Sequence, residues 1–350
     1  MQSILGFTLK DLQDFFISKG WVKFGADQVY SWIYQKGELD PVKWTNISKK
    51  TRAEIQEHLN FDLPKIIWEG LSKDGTRKFL LQMKDGNSVE AVIINSRERR
   101  TMCVSTQVGC AIGCKFCHTG TQGLTRHLEA GEIVGQLWVV NEFLKKHEDR
   151  SLSNIVYMGQ GEPLHNFENT KTATQVFMEP KGLGFEQRRI TLSTSGLVPQ
   201  IEKLQDFPPV NIAISLHAVR NETRSAIMPI NKVYDLERLF KAIKKIPVKA
   251  HRWITYEYLL IDDFNNSIAD IDGLIDLLDP KTSKVNLIPF NEYPGSDFKR
   301  PSNENIQWFN DQLNKRGFIS TIRATKGTDI LAACGQLKTE KEKENTWVCD

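Results

Sequence analysis

Eight residues, Cys110-Ala-Ile-Gly-Cys114-Lys-Phe-Cys117, carry three thiols at C-x3-C-x2-C spacing. Iron–sulfur clusters are usually held by four cysteine thiolates, so a local set of three suits a [4Fe–4S] cluster with one iron left open for a ligand or substrate. An open iron implies chemistry rather than electron storage alone. Two plainer readings compete. Cys114-Lys-Phe-Cys117-His118 is also the C-x-x-C-H pattern of covalent haem attachment, but that attachment goes with export, and the N-terminus shows no basic segment followed by an apolar one. A structural zinc site wants a second cysteine pair or two histidines at finger spacing, and His118, adjoining Cys117, is poorly placed to close a tetrahedron.

Other residues invite chemical readings, each beside a blander one. Gly161-Glu162-Pro163 offers a backbone that a ligand can approach and a carboxylate that can accept from an ammonium; alone it is an ordinary strand-to-helix turn. Ser193, Ser215 and Asn291 can bond hydroxyls or a carboxylate, or can simply cap helices. His217, in Ser215-Leu216-His217, reads as positional rather than as a proton carrier. Cys103 and Cys334 are either small buried hydrophobes or a reactive pair. Glu90, in Ser88-Val-Glu90-Ala-Val, is by itself an exposed strand carboxylate.

Composition narrows the class. At 350 residues the chain can hold one large domain and a small accessory one. Its 46 basic and 43 acidic residues leave a net charge of +3, which neither demands nor excludes RNA. There is no apolar run long enough for a membrane span and no export or lipidation signal, so a cytoplasmic protein is expected. In such a chain the six cysteines, at 103, 110, 114, 117, 334 and 349, are expected as reduced thiols.

The elements that must position these residues follow from periodicity. Residues 1–60 carry apolar residues three to four apart, with Thr8 as an N-cap and Asp11 in the capping-box position, and read as a helical accessory domain. Residues 61–95 read as a short antiparallel β extension, Lys65–Gly70, Arg77–Met83 and Ser88–Ile94, turned at Lys73-Asp-Gly and Lys84-Asp-Gly. From residue 96 to 337 strands alternate with helices. The strands are expected at Thr101–Thr106, Asn154–Met158, Arg189–Ser193, Asn211–Leu216, Ile254–Leu260 and Lys284–Pro289, with Ile319–Arg323 as a possible seventh. Helices are expected at Ala130–Lys146, Leu236–Lys245, Ser267–Leu278 and Asn303–Arg316. Apolar strands separated by helices imply a parallel sheet, but periodicity leaves a doubly wound sheet and a partial barrel undecided. Either way ligands bind at the carboxyl ends of the strands, where the cysteine loop, Gly161-Glu162-Pro163, Ser193, Ser215 and Asn291 all fall. Residues 338–350 read as a charged, solvated tail.

With Phe116 just before the last cysteine, the C-x3-C-x2-C stretch resembles the cluster motif of radical S-adenosylmethionine (radical-SAM) enzymes. Met102-Cys103-Val-Ser-Thr-Gln-Val-Gly-Cys110, the Gly161-Glu162-Pro163 loop, Leu192-Ser193-Thr-Ser-Gly, Ile214-Ser215-Leu216-His217-Ala, Asn286-Leu-Ile-Pro-Phe-Asn291 and Ala333-Cys334-Gly-Gln-Leu extend the likeness. Together they resemble the RlmN/Cfr group of dual-specificity RNA methyltransferases, from the N-terminal helices almost to the tail. The resemblance implies an α/β fold, a partial (βα)6 TIM-like radical-SAM barrel with the helical domain attached.

It also implies a [4Fe–4S] cluster on Cys110, Cys114 and Cys117, with S-adenosyl-L-methionine (SAM) on its open iron. SAM would be held by Gly161, Glu162, Ser193, Ser215, Leu216, His217 and Asn291, with Phe116 against its adenosyl group. Cys334 would take a methyl from one SAM; a deoxyadenosyl radical from a second SAM would remove hydrogen from that methyl; the thiomethylene radical would add to adenine. Cys103 would release the product through a transient disulfide, with Glu90 as general base. Pro163 resembles the RlmN type, which makes 2-methyladenosine in 23S rRNA and some tRNAs, rather than the Cfr type, which makes 8-methyladenosine. Gln160 departs from the methionine usual in the group. The resemblance further implies an electron donor such as flavodoxin and a monomeric enzyme. The alternatives are a radical-SAM enzyme acting on a non-RNA substrate, which needs neither Cys103 nor Cys334, and a zinc or RNA-binding module without catalysis.

Overall fold

The computed structural model describes residues 1–96, 99–147, 151–246 and 253–338. Arg97, Cys349 and all of the charged tail except Lys338 lie outside them. The first three helices are α1 (Leu9–Ser18), α2 (Lys23–Tyr34) and α3 (Lys49–His58). Thr8 caps α1 by accepting from the Asp11 amide at 3.1 Å, and Ser48 caps α3 in the same way. Their apolar faces, Leu12, Phe16, Val29 and Ile33 among them, join one continuous core with the barrel. Trp138 of helix α4 (Ala130–His147) ties the two parts by donating to the carbonyl of Ile33 at 3.2 Å.

Strands β1 (Lys65–Leu71), β2 (Arg77–Gln82) and β3 (Ser88–Asn95) form an antiparallel ribbon, and β3 continues antiparallel onto β4 (Arg100–Cys103). A separate hairpin, β5 (Gln107–Gly109) with β6 (Leu124–His127), encloses the cysteine loop. Its strands are too short for any alternation to reveal them in the sequence. The tight closure depends on Gly109, whose φ is 75° and where a Cβ would lie 1.9 Å from the Gly123 carbonyl oxygen.

The remaining parallel strands are β7 (Asn154–Tyr157), β8 (Ile190–Thr194), β9 (Asn211–Ser215), β10 (Ile254–Leu260), β11 (Ser283–Pro289) and β12 (Ile319–Ile322). The intervening helices are α5 (Phe167–Met178), α6 (Val198–Ile201), α7 (Asn221–Ile227), α8 (Leu236–Ile243), α9 (Ile268–Leu277) and α10 (Asn303–Lys315). Each parallel strand pairs with its successor in the order β4-β7-β8-β9-β10-β11-β12. A doubly wound sheet would reverse its strand order partway; an unreversed order curls into a barrel wall. The fold is therefore a partial barrel, with the seventh strand present and the antiparallel ribbon extending one edge.

Two local expectations change. The first barrel strand stops at Cys103, because Val104 to Gln107 turn aside to bond the Gly159-Gln160 loop. Helix α5 carries no strong apolar period, since much of its buried face is threonine: Thr170 donates to the Pro163 carbonyl and Thr174 shares a proton with Tyr157.

Candidate active site

At the carboxyl ends of the parallel strands lies a cavity of about 970 Å³. Cys110, Cys114 and Cys117 all line it, as do Phe116, Gly161, Glu162, Ser193, Ser215 and His217. Burial pushes the Cys110 thiol up to about 12, against help from backbone amides, and burial raises the Cys114 thiol further, with the other two thiols adding to it. Thiols that burial holds protonated, as at Cys110 and Cys114, are matched to a strongly cationic centre that would bind them as thiolates. A single ion does not fit: tetrahedral Zn–S bonds of about 2.3 Å demand sulfurs within about 3.8 Å of one another, and among the described residues no three His, Cys, Asp or Glu side chains group closely enough for one metal ion. Three thiols from one loop, all lining one cavity, are the donor set that a [4Fe–4S] cluster would take.

The Glu162 carboxylate is buried and accepts from the backbone amides of Ser195 (2.7 Å) and Leu164 (3.0 Å). Burial raises its pKa, partly offset by those bonds. Its own amide donates to Gln107 Oε1 at 2.8 Å, and Gly161 (φ 99°) packs so tightly on Gln107 that a Cβ would sit 2.6 Å from that residue's Cβ. Arg224, fully buried, bonds the carbonyls of Ser195, Ser215 and Leu216 and so ties the ends of β8 and β9 together. Leu216 itself is a core side chain, 0% exposed, and does not line the cavity.

His217 accepts from the Leu259 amide at Nδ1 (3.1 Å), which makes its ring neutral with the proton on Nε2, and it lies edge-on to Phe116 with centroids 4.8 Å apart. Burial, reinforced by Arg224, lowers its pKa to about 3. The unfolded chain takes up this proton near pH 6.5, well before the folded one does. Stability from this site is thus fully present above pH 6.5 and is lost as pH falls toward 3, by at most about 5 kcal/mol. Urea unfolding midpoints measured from about pH 7 to 4.5 are expected to fall less steeply for His217→Gln than for the wild type; parallel curves would count against it.

The segment from Thr328 to Lys338 crosses the barrel as a strap and carries Cys334. Asp329 anchors one end on the Ser72 hydroxyl (2.6 Å) and the Lys73 amide (3.1 Å), and the Lys338 amide anchors the other on Glu90 at 3.0 Å. Between them the strap docks on the cysteine loop: the His118 amide donates to the Gly335 carbonyl (2.7 Å) and the Thr119 hydroxyl to that of Leu337 (2.5 Å). Asn291 donates to the Cys334 carbonyl at 3.1 Å, so it braces the strap and does not line this cavity. Cys334 does line it.

Glu90 is buried rather than exposed, paired with Lys78 at 3.0 Å beneath the strap. Cys103 shares a small apolar cluster with Val92, Ala332 and Leu337, and burial pushes its thiol up to about 12, with Cys334 adding to the rise. Both cysteines are free thiols. Gln160, fully buried, accepts from the Glu90 amide (3.1 Å) and reaches Gln122 (3.4 Å), so the departure from methionine is built into the site. Arg100, at the start of β4, is buried, and its Nε donates to Asn95 Oδ1 at 3.0 Å.

Sequence reasoning missed Glu257 and Arg323. Glu257 is buried in β10, lines the cavity, and meets the Ser193 hydroxyl at 3.3 Å and Arg323 at 3.5 Å. Arg323 turns its guanidinium to within 3.9 Å of Cys334 Sγ. The signal for Glu257 was a lone carboxylate inside the apolar run Ile254–Leu260; for Arg323, at the end of an edge strand, there was none.

Residues 104–278 match the family model described as the radical SAM superfamily, and residues 2–60 that of the ribosomal RNA large subunit methyltransferase N-terminal domain. The chain is 44% identical to a dual-specificity RNA methyltransferase RlmN of Francisella tularensis subsp. tularensis over 341 residues, covering 96% of this chain and 92% of that one. It is equally close, over the same shares, to the RlmN of F. tularensis subsp. novicida. The crystal structure of a radical SAM methyltransferase from Sphaerobacter thermophilus superposes with a TM-score of 0.90 at 39% identity, covering 97% of this chain and 100% of that one.

Proposed function

Because the chain belongs to the RlmN family of radical-SAM, dual-specificity RNA methyltransferases, we propose that it methylates C2 of an adenosine in 23S rRNA, and in tRNA, through a methyl-cysteine on Cys334 and with two SAM per turnover. One observation carries this reading: Cys334, distant in sequence from the cluster cysteines, lines the same cavity, on a strap hydrogen-bonded to the cysteine loop. A radical-SAM enzyme acting elsewhere has no use for that placement.

In this reading Cys110, Cys114 and Cys117 hold a [4Fe–4S] cluster, which when bound supplies the one-electron cleavage of SAM to a 5′-deoxyadenosyl radical, the chemistry an unactivated aromatic carbon requires. Glu162 would accept from the SAM ammonium, Ser193 and Ser215 would offer hydroxyls, and Phe116 would pack on the adenosyl group; all four line the cavity. Cys334 receives the methyl and carries it to the base. Arg323 lies beside its sulfur and offsets the burial that raises its pKa. The adduct radical would give up one electron to the oxidised cluster, and Glu90, its carboxylate poised by Lys78, would take the proton left on the adenine carbon. Cys103 as thiolate would then attack the Cys334 sulfur, the methylene leaving with the electron pair of its carbon–sulfur bond and taking up a proton to become the methyl, and two electrons from the donor would reduce the Cys103–Cys334 disulfide. A flavodoxin-type donor and a monomeric enzyme complete the proposal.

Nucleoside mass spectrometry of 23S rRNA and tRNA, after anaerobic incubation of the reconstituted enzyme with reductant and methyl-deuterated SAM, tests it. The expected product is 2-methyladenosine that retains two of the three methyl deuteriums. An 8-methyladenosine product would keep the carrier route and overturn the position assigned from Pro163. SAM cleavage with no methylated adenosine would refute an RNA substrate.

A further inference from the structure

Cys334 lines two cavities, not one. The second encloses about 840 Å³ and is bounded by Ile94, Thr101, Val156, Ile288, Arg323 and Thr325, with Lys326 beside them. Cys334 and Ile288 are common to both linings, so the two openings adjoin at the strap.

The chambers differ in charge. The first carries the buried carboxylates Glu162 and Glu257 beside the three cysteines of the loop. Among the described residues no aspartate or glutamate lines the second, whose charged residues are Arg323 and Lys326. Arg300 adds a third cation by reaching the Thr325 hydroxyl at 3.2 Å. Neither Arg300 nor Lys326 forms an ion pair among the described residues. Glu292 accepts from the Arg300 amide at 3.3 Å and Asp74 from the Gly327 amide at 2.9 Å, so carboxylates border the opening without lining it. Cations in a lining that holds no carboxylate suit a polyanion, since phosphate contacts position a nucleic acid without reading its sequence. Further in, Ile94, Val156 and Ile288 present an apolar wall against which a planar base can lie, with Thr101 and Thr325 offering hydroxyls. A base buried in a fold must leave its stack to react, and an opening beside Cys334 is where an extruded nucleotide would enter.

We infer that this second chamber, walled by Thr101, Arg323, Thr325 and Lys326, admits the target nucleotide of the RNA, so that Cys334 meets the cofactor on one face and the base on the other. The inference rests on the methyl-carrier reading of Cys334. It assigns Lys326 and Arg300 to phosphates and the apolar wall to the base.

Two variants of the reconstituted enzyme test it with a tRNA transcript as the probe. Thr325→Trp fills the chamber from its rim; Lys326→Glu reverses the charge there. Intact-mass analysis reads the methyl on Cys334, and nucleoside analysis reads transfer to RNA. Thr325→Trp is expected to keep the Cys334 methyl and lose RNA methylation by about 100-fold or more. Lys326→Glu is expected to raise the KM for RNA about tenfold and to lower the salt dependence of binding by about one unit of slope. Unchanged KM for RNA in both variants would overturn the chamber's role. So would loss of the Cys334 methyl in a Thr325→Trp protein whose melting temperature is normal, because the chambers would then not be separate; if that variant does not fold, Lys326→Glu decides. A wild-type enzyme that methylates RNA with no methyl ever detected on Cys334 would remove the carrier reading itself, and this inference with it.

Discussion

Replacing Cys334 by alanine is expected to lower RNA methylation by about three orders of magnitude or more, to the detection limit, as losses of a covalent nucleophile do. The fold should survive. The strap is held by Asp329, Lys338 and the carbonyls of Cys334, Gly335 and Leu337, none of which the substitution touches. Losing one sulfur against Arg323 should cost only about 1–2 kcal/mol of stability. Nucleoside mass spectrometry beside a thermal melt separates the two effects. Methylated adenosine at even a tenth of the normal rate would mean that the methyl does not travel on Cys334.

Replacing Cys103 by alanine is expected to be as damaging to turnover but to leave a different trace. Cys334 and the cavity remain, so the methyl should still load and the base should still become attached; what is missing is the thiol that attacks Cys334 sulfur. A covalent protein–RNA adduct should accumulate, visible as a retarded band under denaturing conditions and absent from the Cys103→Ala, Cys334→Ala double variant. The register supports the pairing. Cys103 lies opposite Val92 in β3, two residues from Glu90 on the same face, and shares its apolar cluster with the strap residues Ala332 and Leu337. Burial keeps the Cys103 thiol protonated near neutral pH, which fits a resting state in which both cysteines are free. Normal turnover by the single variant would dismiss the release step.

The local features were legible because local physics produces them. Thiol spacing in Cys110–Cys117, the caps at Thr8 and Ser48, and the apolar runs of β10 and β11 are set by residues within a few positions of one another, and the structure places each essentially where the pattern does. Motifs at the ends of parallel strands converge because a strand's carboxyl end opens on the mouth of any such sheet. The likeness to a known family then identified the chemistry from motifs that agree in order. What the sequence could not express is whatever depends on contacts between distant positions. Whether the sheet closes toward a barrel or opens both ways is written in strand order, which periodicity does not encode. The burial of Glu90 requires β2 to bring Lys78 across to it and the strap to return some 250 residues later. Asn291 looked like a cofactor ligand and braces the Cys334 loop; Leu216 looked like a lining residue and is core. Sequence determined which groups can do chemistry; tertiary packing decided that Cys334 lines two cavities, with Glu257 and Arg323 paired nearby, because burial and pairing are properties of the assembled interior.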